Sequence, residues 1–526
     1  MRPLLLVLLL VLLAACGDAG GASDTLAPPD ADAATPADAA ADTPSGADVS
    51  PDPPLPWDAA PDAAPDGGGD VGGGGPGPVR AVIEGYYGPP WSHEARLDVI
   101  AFAGRAGMNT YLLAAKHDPA NTLLWDRPLT AQRRREFDEL TAAGREHGVR
   151  LCVAISPGGT VEFGSETHRA AAVGRFVELA EHGVDCFVLA FDDTPKTLKG
   201  DDPARYASYA EGQADFVADV FDRTRAAEGE GAVLVFVPND YWTEAAEATD
   251  ELATVAAALP ADVGIAWTGP QICAPSITAE DAAAFAALVG RAPILGDNDL
   301  VKDGDATGGN LALAPYAPRE AALLPALGGF GVNLMPLPYA SFVGLWTAAA
   351  WAADPAGYDP QAALAAAAEA VAGDDAELLL RLAPFSVLAC PDGERVPLPD
   401  APALAACRAA LAGDRAALAA VCEPVRDGVL PGLGGLPDAL AAADLPGALA
   451  NELRPWAQKL DDCALIAHDA LDLAIGAATG TLPPAGQMAA VESSWQTDCV
   501  DASVRLRLAE LDALVRAALA FTRAGR

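Results

Sequence analysis

The chain has 526 residues, 51% of them hydrophobic, and carries 33 Lys and Arg against 73 Asp and Glu, a formal charge of −40. So acidic a balance argues against nucleic-acid binding, which needs a basic footprint, and it suits a soluble exported protein. There is no CxxC or HExxH motif and the six His are scattered, which argues against a metal site; nothing calls for a cofactor.

In chain order, Arg2 is followed by an apolar run from Leu4 to Leu13, too short for a comfortable transmembrane helix, and then by Leu13-Ala14-Ala15-Cys16. Small residues before a cysteine resemble a bacterial lipobox. Residues 1–16 are therefore expected to be a lipoprotein signal peptide, with Cys16 lipidated after cleavage. The expected location is the cell envelope, at the outer membrane or cell surface, with the membrane touched through the lipid only. Residues 17–78 hold twelve Asp and no Glu, Lys or Arg among Ala, Pro and Gly. Such a stretch cannot bury enough apolar area to offset the entropy of ordering, so a disordered tether is expected. Its flexible span would be roughly 40–50 Å.

From Val79 to about Asp354 short apolar runs alternate with helical periodicity. The runs are Val82–Gly85, Asn109–Ala114, Leu151–Ser156, Val184–Phe191, Val233–Pro238, Val263–Trp267, Pro293–Gly296 and Gly331–Pro336, eight predicted strands. Between them, Val173, Phe176, Val177 and Ala180 follow i, i+3, i+4, i+7. Two helices end on the same signature, Glu146-His147-Gly148-Val149 and Glu181-His182-Gly183-Val184, a glycine stop before a strand opens. Eight units in about 275 residues predict a (β/α)8 TIM barrel over 79–355. A doubly wound sheet would want a glycine-rich phosphate turn after the first strand, and Gly85-Tyr86-Tyr87-Gly88-Pro89-Pro90 does not supply one. Residues 356–526 are Ala- and Leu-rich and broken at Pro391, Pro424, Pro431, Pro446 and Pro483, which reads as an all-α helical bundle domain of four or five helices. Cys152, Cys186 and Cys273 fall in or near predicted strands and are expected to be buried thiols. Cys390, Cys407, Cys422, Cys463 and Cys499 fall in the helical part, where an exported protein could pair most of them.

The tetrad Phe191-Asp192-Asp193-Thr194 stands where the fourth strand stops. Paired carboxylates in one small volume cannot both ionise freely, and separated proton affinities serve acid/base work on a glycosidic bond. The alternative is that Asp193 or Thr194 caps the following helix. The other strand ends offer Tyr86-Tyr87 and Trp91-Ser92, Lys116-His117-Asp118, Ser156-Pro157, Asn239-Asp240-Tyr241-Trp242, Trp267-Thr268, and Asp297-Asn298 with Asp303 beyond. Aromatic faces for a sugar ring and polar groups for its hydroxyls, gathered around an acidic pair, make a carbohydrate-type pocket.

On Glu84–Ser92, Asn109–Asp118, Phe191-Asp192-Asp193, Trp267–Pro270, Asp297-Asn298 to Asp303 and Ala314-Pro315-Tyr316, the chain resembles glycoside hydrolase family 84. These are the β-N-acetylglucosaminidases that include O-GlcNAcase and bacterial hyaluronidase-like enzymes. The resemblance covers roughly residues 80–375. It implies an exo-acting enzyme that cleaves terminal β-linked GlcNAc from a glycan or glycoprotein by substrate-assisted, retaining catalysis through an oxazoline. In this pattern Asp192 polarises the substrate's acetamido N–H, and Asp193 is the general acid and later the base. Gly85, Lys116, Tyr241, Asn298 and Asp303 match sugar-contacting positions.

Neighbours on a regular strand point to opposite faces, so the chain is expected to turn at Asp192. Two departures from the family pattern stand out. Gly296 replaces the Trp before Asp-Asn, removing an aromatic wall, and Met335 falls where an Asn is usual, with Asn333 two residues away on the same side of the strand. Two alternatives follow: a glycan-binding lipoprotein with little or no turnover, or a hydrolase for a different N-acetylated hexosamine.

Overall fold

A computed structural model of the chain describes residues 78–526 apart from 302, 304–310, 387–397, 399, 414, 501–505, 507 and 526. The expected signal peptide, Cys16, nearly all of the expected tether, Lys302 and Cys390 lie outside the described residues.

All eight strands form: β1 (Arg80–Glu84), β2 (Thr110–Leu113), β3 (Arg150–Ile155) and β4 (Cys186–Ala190). They continue as β5 (Val233–Val237), β6 (Gly264–Trp267), β7 (Ile294–Asp297) and β8 (Gly329–Asn333). They pair in parallel and in sequence order into a closed barrel. Closure sets Ala81 opposite Gly331 and Ile83 opposite Asn333. Closing the sheet removes its edges and aims all eight strand ends at one mouth.

Local chemistry fixes where the helices begin and end. Helices His93–Ala106, Ala131–His147, Glu166–Glu181, Tyr209–Glu228 and Ala279–Val289 start behind Ser92, Thr130, Ser165, Ser208 and Thr278. Each of these hydroxyls accepts a first-turn amide that would otherwise be orphaned. At the other end, Gly148 (φ 68°) and Gly183 (φ 86°) take the left-handed conformation that ends a helix before a strand. In helix Glu166–Glu181 the fully buried stripe is Ala172, Phe176 and Leu179. Val173, Val177 and Ala180 lie half-buried on its flank, because packing against the sheet rotates the face by about one residue.

The core has two layers. The larger lies between the outer face of the sheet and its helices and runs on into the C-terminal helical part. The smaller lies inside the barrel, on the β2–β5 side, from Cys152, Ala154, Cys186 and Val188 with Leu112, Val233 and Val235. The expected free thiols on the strands are a correction: Cys152 faces Cys186 in the β3–β4 register, and the two form a disulfide with Cα atoms 4.5 Å apart. Cys273 is disulfide-bonded as well.

Beyond the barrel the chain is helical, but not as four or five helices. Nine α-helical segments run from Pro360 to Ala524 among the described residues, several only four to seven residues long, with two further cross-links, Cys407–Cys422 and Cys463–Cys499. Proline does not always break them: Pro455 sits inside the 33-residue helix Gly447–Thr479. That helix carries Glu452, which accepts the backbone amides of Tyr339 (3.3 Å) and Ala340 (2.7 Å) just before helix Ser341–Ala353. Among the described residues no helix is long and apolar enough to cross a membrane.

Candidate active site

The acidic pair follows β4 directly. Phe191 is buried, and its carbonyl accepts the Thr194 hydroxyl at 2.7 Å; Asn239 in turn donates to Thr194 O and Oγ1 at 3.0 Å. Neither Asp193 nor Thr194 caps a helix, since the next one begins only at Asp202. The turn comes one residue later than expected. Asp193 has φ 57°, a left-handed conformation that costs a non-glycine residue roughly 1–2 kcal/mol. Strain of this kind persists where surrounding bonds enforce it, and here it brings Asp192 and Asp193 to the wall of one cavity.

That cavity, about 530 Å³, opens at the C-terminal ends of the strands. Gly85, Lys116, Asp192, Asp193, Tyr241, Asn298 and Asp303 all line it, so every expected catalytic and sugar-contacting position is gathered in one place. Lys116 forms an ion pair with Asp192 Oδ2. Asp192 Oδ1, by contrast, is buried and accepts no hydrogen bond. An orphaned carboxylate oxygen in such a place is expensive unless a ligand supplies the donor.

Asp193 is held by two phenols. Tyr241 donates to Oδ1 at 3.0 Å and Tyr87 to Oδ2 at 2.9 Å. Burial first, and then Asp193 itself, pushes both phenols well above the usual tyrosine range, so they remain donors. Tyr87 also donates its amide to Asp303 Oδ2 at 2.7 Å. Burial raises the Asp303 carboxyl above the ordinary carboxylate range. On the opposite wall Asn333 bridges two elements, accepting the Gly85 amide at 3.0 Å and donating to Asn298 Oδ1 at 3.0 Å.

Asn333, not Met335, therefore faces the cavity. It is the last residue of β8, whereas Met335 lies past the strand, is buried, and accepts the Ala312 amide on its sulfur at 3.4 Å. The aromatic rim is smaller than the strand-end residues suggested. Tyr87 and Tyr241 line the cavity, whereas the Trp267 ring is fully buried, stacked on Phe285 and donating to Thr243 Oγ1 at 3.0 Å. Trp91 is instead buried beside Tyr86 and Tyr111, and Trp242 packs on Tyr241 ahead of a short helix. Ser92 is a cap, and Asp118 pairs with Arg96 and Arg133. Tyr87 and Thr268 are polar members given no role from the sequence, Tyr87 lying two residues from Gly85, and Asn333, named there only as a neighbour of Met335, is the third.

Residues 80–383 match the model of the family described as NAGidase, beta-N-acetylglucosaminidase. Protein O-GlcNAcase of Rattus norvegicus is 28% identical over 274 residues, 51% of this chain and 29% of that protein. The Mus musculus protein of the same name is 28% identical over 275 residues, with the same shares. The chain thus spans under a third of the length of these relatives. In fold, a mutant O-GlcNAc hydrolase of Thermobaculum terrenum superposes with a TM-score of 0.74 at 24% identity, covering 84% of this chain and 94% of that one.

Proposed function

The chain belongs to the β-N-acetylglucosaminidase family, glycoside hydrolase family 84, and from that membership we propose that it removes terminal β-linked N-acetylglucosamine from a glycan or glycoprotein. The observation that carries the reading is the unsatisfied Asp192 Oδ1 beside the Lys116 pair, one residue from a carboxylate gripped by two tyrosines. A substrate amide N–H fits that oxygen. Accepting it makes the acetamido carbonyl oxygen more nucleophilic, and this oxygen attacks the anomeric carbon. As that bond forms, the bond to the leaving oxygen breaks and Asp193 gives that oxygen its proton. A protonated oxazoline results, its N–H still held on Asp192 Oδ1. Water then adds at the anomeric carbon, Asp193 takes its proton, and the acetamide is restored with the configuration retained.

Substrate assistance accounts for two adjacent acids on one strand end, since neither has to reach across the ring as a nucleophile. We assign Asp303 and Asn298 to the ring hydroxyls, with Gly85 and Tyr241 beside them; that all four line the cavity supports the assignment. The test is release of the aglycone from an aryl β-N-acetylglucosaminide. No release by the wild type, or equal release by Asp193→Ala, sinks the proposal. The aromatic wall missing at Gly296 favours a second reading, glycan binding without turnover, which calorimetry with GlcNAc on an inactive wild type would reveal.

On Leu13-Ala14-Ala15-Cys16 we propose in addition a lipid anchor at Cys16 that tethers the enzyme at the bacterial cell envelope. Incorporation of labelled palmitate, abolished by Cys16→Ala, is the expected result; labelling unchanged by that substitution rejects it.

A further inference from the structure

The cavity is more apolar than a sugar ring requires, and its polar and apolar parts are layered. Lys116 stands two residues beyond Ala114 on the β2 side, Asp192 two beyond Ala190, Thr268 two beyond Ala266, and Asn298 two beyond Gly296. Residues two apart on a strand share a face; the polar members stand just past the strand ends, each two residues beyond a small apolar residue that lines the same cavity. All eight of these residues line the cavity. In a barrel of this kind bulky branched residues ordinarily fill this depth. Here four of the strands supply Ala114, Ala190, Ala266 and Gly296 at this depth, beside Ile83 and Val237, and the space over those four stays open.

Gly296 leaves a gap in this floor. A Cβ built there would meet only Ile83 Cδ1, at 3.4 Å, and its backbone is not in a conformation that favours glycine. A side chain would therefore be admitted, and none is present.

The geometry of the amide says what would enter this space. An amide N–H bonded to Asp192 Oδ1 lies at the boundary between the polar mouth and the apolar floor. Its carbonyl oxygen must turn to the anomeric carbon, and the ring hydroxyls stay with Asn298 and Asp303. The remaining substituent is the acyl chain, which in the oxazoline projects away from the pyranose ring. We infer that the preferred substrates are β-glycosides of glucosamine whose N-acyl group is longer than acetyl, propanoyl or butanoyl, with the added carbons seated on the Ala114, Ala190, Ala266 and Gly296 floor. The inference rests on the hydrolase reading above and narrows its substrate class.

The experiment compares N-acetyl, N-propanoyl and N-butanoyl forms of one 4-methylumbelliferyl β-glucosaminide, using the full chain. Each newly buried methylene contributes about fourfold in kcat/KM, so a rise of roughly fifteenfold from acetyl to butanoyl is expected. Gly296→Val fills the floor and should abolish the rise. Gly296→Ala, the milder change, should halve it or more, and serves if the valine variant misfolds. A fall with chain length in the wild type, or a rise that both variants leave unaltered, overturns the inference. If no glycoside is cleaved, the hydrolase reading fails on its own. Calorimetry with the methyl β-glycosides then still decides: tighter binding of the butanoyl sugar upholds the pocket, and equal or weaker binding rejects it.

Discussion

Asp192 and Asp193 are adjacent, yet the chemistry proposed for them separates cleanly in one assay. Asp192 is to accept the amide N–H in every substrate, whatever the leaving group. Asp192→Ala removes that acceptor and strands the Lys116 ammonium, whose side chain is only 13% exposed. A hydrogen bond to a charged group contributes about 1.5–3 kcal/mol, which is on the order of 10- to 150-fold in kcat/KM. That loss should be the same for a dinitrophenyl and for a methylumbelliferyl glycoside. Asp193 is to protonate the leaving oxygen, a contribution of about 10²–10⁴-fold when the leaving group needs a proton. Dinitrophenolate scarcely needs one. Asp193→Ala should therefore lose two or more orders of magnitude in kcat/KM on the umbelliferyl glycoside and far less on the dinitrophenyl one. Because kcat/KM reports the first irreversible step, the later need for Asp193 as a base does not blur the comparison. Equal losses on both glycosides for Asp193→Ala would falsify its role as the acid. A leaving-group dependence in Asp192→Ala would refute the division of labour.

Tyr87→Phe removes one of the two donors to Asp193; since Tyr87 is 39% exposed, a loss of about 0.5–1.5 kcal/mol is expected, seen as a two- to twelve-fold drop in kcat/KM on the umbelliferyl glycoside alone. Arg96→Leu leaves the fully buried Glu84 carboxylate without its guanidinium partner at 2.8 Å, and breaking such a pair costs about 3–5 kcal/mol, which thermal unfolding would register as a large fall in Tm. Burial pushes the Glu452 carboxyl up to about 7. A raised carboxyl favours folding in its protonated form, so that contribution is full below the unfolded carboxylate range and fades as pH rises through 7. The Tm of Glu452→Gln should therefore gain on the wild type between pH 5 and pH 8, and a parallel pH course for the two proteins would contradict the assignment.

The barrel was legible because its signals are local and repeated. Apolar runs of strand length recur at a fixed interval, and glycine stops such as Gly148 and Gly183 mark where helix gives way to strand. What the sequence did not disclose depends on register or on distant packing. Cys152 and Cys186 can be paired only once β3 and β4 are known to set them side by side. Asn333 and Met335 compete for one position until the end of β8 is fixed, one residue being the last of the strand and the other lying past it in the core. Trp91 and Trp242 looked like walls because they follow strands, but the side chains of loop residues go where the loop sends them. The left-handed turn at Asp193 has no signature of its own, since Asp is only tolerated there. The helical part was miscounted because its short segments meet through proline and tight turns that leave the Ala-Leu pattern unbroken.

The cavity also poses a mechanical question, since an under-filled barrel mouth tends to relax inward. The strand period supplies the answer. Glu84 precedes Gly85, and Asp297 precedes Asn298, so on each strand the neighbour of a cavity-lining residue points outward. Outside, Glu84 accepts Arg96 at 2.8 and 2.9 Å, the Trp91 amide at 3.1 Å and the Tyr111 hydroxyl. Asp297 accepts Arg319 at 2.9 and 3.0 Å and the Tyr316 hydroxyl at 2.6 Å. Buried ion pairs are poor sources of net stability, but a well-bonded one fixes geometry because any displacement leaves a charge unmet. These two clusters pin β1 and β7 from behind, on either side of β8 and next to the gap at Gly296. Asn333 ties the front of the same three strands through Gly85 and Asn298. An open floor beside a rigid polar mouth is thus what this arrangement sustains, and it lets the anchoring of the amide stay fixed while the depth beneath it varies.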